Sequence, residues 1–324
     1  MKFIVFSDLH AHPFKRLSRV HPDSGLNSRL EHALECLRAV RYLSSATGIK
    51  QVLFGGDLFD AKNKVPTVAV EAVFKEMVEW SKSGMEVIMI TGNHDHATIS
   101  GESHALSVLS ELEGITVVDN PTVIPWGGIN INAIPYRKHI KKEWFDIDMG
   151  TPSICLAHGV VGGSKTPSGY EFEAEEPDHE GVMCDRIPID WLEPFKMSIV
   201  GHVHNPQILG SKKQVLVPGM PLQQHPHEIG QERGIWVVDS TTREFERIEV
   251  TKVPKFVKAE LYKGKVTSDH PIEGNHVVLK VVLDEAEKTT EGKKADFYLS
   301  NDGQDMSSFV NCWGAESLTV VKPD

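Results

Sequence analysis

The chain of 324 residues is long enough to bury a substantial core and to carry one large domain plus a smaller one. Its 34 basic and 45 acidic residues give a formal charge of -11, which argues against a broad basic face for sequence-independent nucleic-acid binding. No run approaches the ~18 apolar residues of a membrane span. The four cysteines form no CxxC pair, so a reduced, cytoplasmic protein is expected (host cytoplasm if the source is a phage).

In chain order, residues 2–6 read as a strand too short for a signal-peptide core. A helix is predicted from about Ser28, with Ser28 and Glu31 as a capping-box pair and Gly48 at its stop. Leu30, Leu34, Leu37 and Val40 mark its apolar face. Residues 51–54 form a second strand entering "GGDLFD", and residues 67–83 a second helix with Ala69, Val73, Met77 and Trp80 on one side. The strand at 86–90 runs into "TGNHDH" and is followed by a shorter helix near 104–112.

This βαβαβ order implies a parallel sheet. Strand candidates then crowd together at 116–118, 129–134, 153–156, 198–200, 214–217, 235–238 and 245–250. They predict a second sheet packed on the first, with helices outside: an α/β/β/α sandwich over residues 1–252. Residues 253–324 read as a small α+β domain, with strands at 256–261, 276–283 and 318–321 and a helix near 304–312. The charged stretch at 284–294 reads as a solvated loop.

Five clusters, "SDLHAH", "GGDLFD", "TGNHDH", "LAHGVVGG" and "VGHVH", each follow an apolar segment and offer Asp, Asn or His at its end. Ligand sites in open α/β sheets gather outside the carboxyl ends of strands. Any one Asp or His in such a place is more often a cap or turn residue. If the strands are neighbours, however, the groups form a cage of imidazole nitrogens and carboxylate oxygens suited to first-row divalent cations.

The ordered set resembles the calcineurin-like metallophosphoesterase superfamily, whose pattern is D-x-H, G-D, G-N-H-[DE], H and G-H-x-H. The likeness spans roughly residues 7–204 with every ligand type present. By this resemblance Asp8, His10 and His204 bind one metal, Asn93, His158 and His202 a second, and Asp57 bridges them. His94 is implied to face substrate as proton donor or transition-state stabiliser, with Asp60 as its orienting carboxylate and Asp95 as second choice. His12 and His96 lie beside the cage as candidate substrate contacts. "HPHE" at 225–228 reads as an ordinary Pro-flanked loop, with substrate contact by His225 or His227 as the alternative. Glycines before Asp57, Asn93 and His202 would give tight turns there.

A narrower resemblance, carried by "FSDLH", "GDLFD" and "VPGMPLQQHPHEIGQERGIWVVD", is to the SbcD-type nucleases of DNA repair. It implies a two-metal DNA nuclease, with Mn2+ as working metal and Fe2+, Zn2+ or Mg2+ as alternatives. It also implies a capping domain after the catalytic one, a homodimer, and an SbcC-type SMC-like ATPase partner supplying DNA affinity, with no membrane. "SDLHAH" departs from that family's common "SD-x-H-L-G", beside the first metal. The rival readings are a small-molecule phosphatase or cyclic-nucleotide phosphodiesterase, and a non-catalytic scaffold. Intact Asp57, Asn93 and His94 weigh against the scaffold.

Overall fold

Apolar runs with β-branched residues form the strands, because their side chains pack on a pleated surface that is buried on both faces. The computed structural model describes residues 1–60, 64–98, 103–146, 151–173, 182–184, 186–262, 265–282 and 317–321. The first half holds β1 (Lys2–Phe6), β2 (Gln51–Phe54), β3 (Glu86–Ile90), β4 (Ile115–Val118), β5 (Thr122–Trp126) and β6 (Ile129–Ile134). Helices α1 (Ser28–Thr47) and α2 (Thr67–Lys82) occupy its first two crossovers. Next come β7 (His139–Lys141), β8 (Ser153–His158), β9 (Val160–Val161), β10 (Val182–Cys184) and β11 (Arg186–Ile187). The short α3 (Ile189–Leu192) precedes β12 (Met197–Gly201), β13 (Gln207–Leu209), β14 (Val215–Val217), β15 (Ile235–Asp239) and β16 (Glu244–Ile248). The last strands are β17 (Phe256–Tyr262), β18 (Lys265–Ser268), β19 (His276–Val282) and β20 (Ser317–Val321).

The chain divides into two compact units. The first comprises Met1–Pro13, Leu30–Leu222 and Glu232–Val250, and contains two six-stranded sheets. One sheet has the order β16-β15-β1-β2-β3-β4 and the other β13-β14-β12-β8-β6-β5. Alternation along each strand decides which side chains meet: Phe3, Val5, Ile88, Ile90, Trp236 and Val238 pack against Ile129, Ile131, Ile154, Leu156 and Ile199 between the sheets. Phe3 and Trp126 make a direct ring contact across that layer. The alternate residues face outward, where Phe6 meets Trp80 of α2 at a centroid distance of 6.0 Å. The four residues read as the apolar side of the second helix, Ala69, Val73, Met77 and Trp80, are all fully buried.

Several expectations need correction. The strands at 115–118, 235–239 and 244–248 complete the edges of the first sheet; β4 runs parallel to β3, and β15 antiparallel to β1. Periodicity reports burial of a strand but not its partner, so membership of a sheet was not readable. The short helix near 104–112 is a 3-10 turn, Ala105–Leu109, whose buried Leu106 and Leu109 are spaced for three residues per turn. The cover on the outer face of the second sheet is thin, with Phe145, Trp191, Leu192 and Phe195 packing from short turns and the four-residue α3.

The second unit comprises Phe14–Arg29, Gln223–Gln231 and Thr251–Asp324. Its sheet has the order β18-β17-β19-β20, with Val257, Ala259, Leu261, Val277 and Leu279 forming a small core. The Gln223 amide ties the loop to the sheet: its oxygen accepts from Phe256 N–H at 2.7 Å, and its nitrogen donates to the Glu228 carbonyl at 2.9 Å. The cap at the start of α1 is Asn27, whose Oδ1 accepts from Arg29 N–H at 3.0 Å, while the Ser28 hydroxyl accepts from Arg19 N–H. Glu31 instead receives the Arg38 guanidinium, which also reaches Glu35 and Glu76. The loop at 284–294 and the helix at 304–312 lie outside the described residues.

Candidate metal centre

Asp8 and His10 follow β1, Asp57 and Asp60 follow β2, and Asn93 and His94 follow β3. His158 ends β8, and His202 and His204 follow β12. β1 lies beside β2 and β2 beside β3, all parallel, and β8 pairs in parallel with β12, so each set of carboxyl ends emerges on one rim. Backbone bonds stitch the loops together: Asp8 N–H donates to the Gly56 carbonyl at 2.9 Å, and His202 N–H to the Asp8 carboxylate at 3.0 Å.

Three groups of side chains converge among the described residues, the third being His10, Asp60 and His94. In the first, Asp8, His10 and His204 bring their ligand atoms together, with 3.2 Å between His10 Nε2 and His204 Nε2. The second unites Asp57, His158 and His202. Asn93 joins it, its Oδ1 lying 2.8 Å from His202 Nδ1 and 3.1 Å from His158 Nε2. Donor atoms at about 2.0–2.1 Å from one cation, at 90–109° to each other, lie roughly 2.8–3.4 Å apart. The measured separations fall close to that range, and mixed His, Asp and Asn donors suit a first-row divalent ion. Asp57 Oδ2 lies between the first two groups, 3.7 Å from His10 Nε2 and 3.4 Å from His158 Nε2. Its other oxygen accepts from His94 N–H at 2.8 Å.

Backbone conformation is strained at the same places. Of the non-glycine residues with positive φ, Asp8 (53°), His10 (49°), Asp57 (58°) and His202 (103°) all belong to these groups. Such conformations cost about 1–3 kcal/mol each and persist where surrounding bonds over-determine them. Gly56 has the turn geometry expected, with φ 96°. Gly92 is required by space: a Cβ there would fall on the Asp57 carboxylate and backbone nitrogen.

Outer contacts fix the ring orientations. His158 Nδ1–H donates to the Gly55 carbonyl at 2.7 Å and leaves Nε2 facing inward. Asp60 Oδ1 lies 2.8 Å from His94 Nδ1 and 3.3 Å from His10 Nδ1, so one carboxylate orients two imidazoles. The His94 side chain is 29% exposed, with its Nδ1 against Asp60. Asp95, the second choice for orienting His94, is engaged elsewhere. Its buried carboxylate accepts from the backbone N–H groups of Asp57, Leu58, Phe59 and Gly92 at 2.9–3.1 Å. It clamps the "GDLF" turn to the "GNHD" turn.

Electrostatics match a site built for positive charge. Burial would raise the Asp57 carboxyl, but the charge and hydrogen bond of His158, with the charges of His10 and His94, hold it well below the usual carboxylate range. Burial opposes the charge of His158 as well, yet Asp57 and Asp8 push it up to about 9. Burial and the neighbouring His158 lower His202 to about 4. Burial also opposes His10, which Asp60, Asp57 and Asp8 raise nonetheless.

The three candidate substrate contacts fare differently. His12 is half-buried on the His10 loop. His96 is only 6% exposed, with Nε2 bonded to Thr91 Oγ1 at 2.8 Å, so it is a packed residue rather than a contact for a bound molecule. His225 belongs to the second unit, exposed and stacked on His227 at 5.2 Å, in a loop held by the Glu228 carboxylate. Sequence reasoning missed Tyr136, beside His158 and His202, and Arg233, whose guanidinium donates to the His204 carbonyl. Both carry a faint signal: Tyr136 is a polar residue just past the end of β6, and Arg233 stands before Gly234 within "GQERGIWVVD".

Among curated proteins, exonuclease subunit 1 of Enterobacteria phage T4 is 23% identical over 215 residues, covering 65% of this chain and 59% of that protein. The DNA double-strand break repair protein Mre11 of Nanoarchaeum equitans is 26% identical over 247 residues, covering 68% and 62%. The D component of the nuclease SbcCD from Escherichia coli strain K12 is 22% identical over 257 residues, again covering 68% and 62%. The chain therefore spans about three fifths of the length of these relatives. The family model for calcineurin-like phosphoesterases matches residues 1–206, the stretch that carries every converging side chain, and the chain belongs to that family.

Proposed function

We propose that the protein is a metal-dependent DNA nuclease that hydrolyses phosphodiester bonds with two divalent cations, Mn2+ in the working enzyme. The observation that carries this reading is Asp57 Oδ2, set between the two ligand groups at 3.7 Å from His10 Nε2 and 3.4 Å from His158 Nε2. Asp8, His10 and His204 would hold one cation, Asn93, His158 and His202 the other, and Asp57 both. When bound, such a pair generates hydroxide at neutral pH and offsets the charge of the phosphate. His94 is the proton donor to the leaving oxygen, and Asp60, 2.8 Å from its Nδ1, keeps the ring in place.

The Nanoarchaeum equitans relative, named as a DNA double-strand break repair protein, supports DNA as substrate, and the other two relatives are named as nucleases. A chain of net charge -11 has little attraction for free DNA, so an SMC-like ATPase partner is assigned the role of supplying affinity. Residues 253–324 are assigned as a capping domain, a homodimer as the nuclease assembly, and the cytoplasm as its place of work. No helix among the described residues is long and apolar enough to cross a membrane. Purified protein with Mn2+ should be offered linear duplex DNA and bis-nitrophenyl phosphate. Shortened DNA, abolished by chelator and by Asp57→Asn, is the expected result. Rapid turnover of the small ester with DNA left intact would replace this reading with a small-molecule phosphodiesterase.

A further inference from the structure

Three histidine rings share a neighbour that the two-metal reading leaves unused. Tyr136 follows β6, and its N–H donates to the Thr91 carbonyl at 2.9 Å, tying it to the loop that carries Asn93. The next residue, Arg137, fastens the segment through the carbonyls of Tyr136 and Asp119. The phenol ring lies 6.2 Å from the His202 ring and nearly parallel to it, at 19°. It meets His158 at 6.1 Å and 82°, and His96 at 6.1 Å and 57°.

Ring planes matter at this position. His202 presents Nδ1 and His158 presents Nε2, 3.3 Å apart, with Asn93 Oδ1 close to both. Turning either imidazole about its side-chain torsion would swing its ligand atom away from the shared point. A parallel contact fixes the plane of one ring, and an edge contact fixes the other. We propose that Tyr136 is a positioning residue for the second cation, its ring holding His202 and His158 so that their ligand nitrogens stay converged. The inference rests on the two-metal reading above.

His202, when holding a cation, would be a more electron-poor ring and would stack more strongly on the electron-rich phenol face. Positioning and binding thus reinforce each other. Both contacts are made by the aromatic ring, which phenylalanine keeps. The first group is held by other means, Asp60 beside His10 Nδ1 and Arg233 on the His204 carbonyl, and should not depend on Tyr136.

Calorimetric titration of Mn2+ into metal-free protein tests this, with circular-dichroism melts confirming that each variant is folded. Wild type should show two sites. Tyr136→Leu and Tyr136→Ala should weaken one of them by about 10–100-fold, as loss of outer support does, and leave the other unchanged. Tyr136→Phe should bind like wild type, and the electron-spin-resonance signal of a coupled Mn2+ pair should survive in it alone among the variants at limiting metal. Unchanged affinity at both sites in the leucine variant would overturn the proposal. So would a phenylalanine variant as weak as the alanine one. Failure of wild type to take up a cation pair would instead overturn the two-metal reading, and this proposal with it.

Discussion

Asp60 and Asp95 both sit within a turn of His94 in space or sequence, yet their carboxylates do different work. Asp60 orients His94 and His10 through Nδ1, whereas Asp95 spends both oxygens on four backbone N–H groups. Removing His94 should therefore cost rate and leave the fold alone: His94→Ala is expected to lower kcat by roughly 10²–10⁴-fold with an unchanged melting temperature. Asp95→Ala strands buried donors, each worth about 1–3 kcal/mol, and should cost at least ~3 kcal/mol in chemical denaturation. The ionisation of His158 gives a second test. Raised to about 9, it keeps a proton in the metal-free protein at neutral pH, and it must shed that proton to ligate. Its stabilising contribution is complete below pH ~6.5 and is lost as pH rises through about 9. Metal-free protein should thus melt lower, and Mn2+ should bind tighter, across the same rise in pH. Titrations in buffers of different ionisation enthalpy would detect the released proton; a pH-independent affinity would contradict this assignment.

Glycine and strand geometry carry the site at the level of elements. Every converging side chain leaves the carboxyl end of a parallel strand, so the loops need only a few residues to bring Asp57 beside Asn93. Gly92 is where that closeness is tightest. Gly92→Ala places a methyl group on the Asp57 carboxylate, and the expected outcome is loss of Mn2+ binding at both half-sites. A variant that retained two cations by equilibrium dialysis would show the turn to be more yielding than argued. Much of this was legible beforehand, because the ligand-bearing clusters each end an apolar run and the second helix showed its buried stripe directly. Strand pairing was not legible: β4, β15 and β16 have the same alternation whichever sheet they join. Nor was the engagement of Asp95, since nothing in "GNHD" distinguishes a carboxylate that faces a histidine from one that faces amides.

For the whole molecule, two sheets contribute to one cage: β1, β2 and β3 supply Asp8, His10, Asp57 and Asn93, while β8 and β12 supply His158, His202 and His204. The apolar layer between the sheets holds the two rims at the spacing the ligands need. The family was readable from residue order because the motif spans distant segments and chance seldom repeats it. Substrate was less readable, since a net charge of -11 and a shared phosphoesterase cage fit more than one ester. The measurement closest to the central claim is anomalous scattering from crystals soaked in Mn2+. Two peaks about 3.5–4 Å apart are predicted, one against Asp8, His10 and His204, the other against Asn93, His158 and His202, with Asp57 touching both. An empty cage, or a single ion remote from Asp57, would contradict the account.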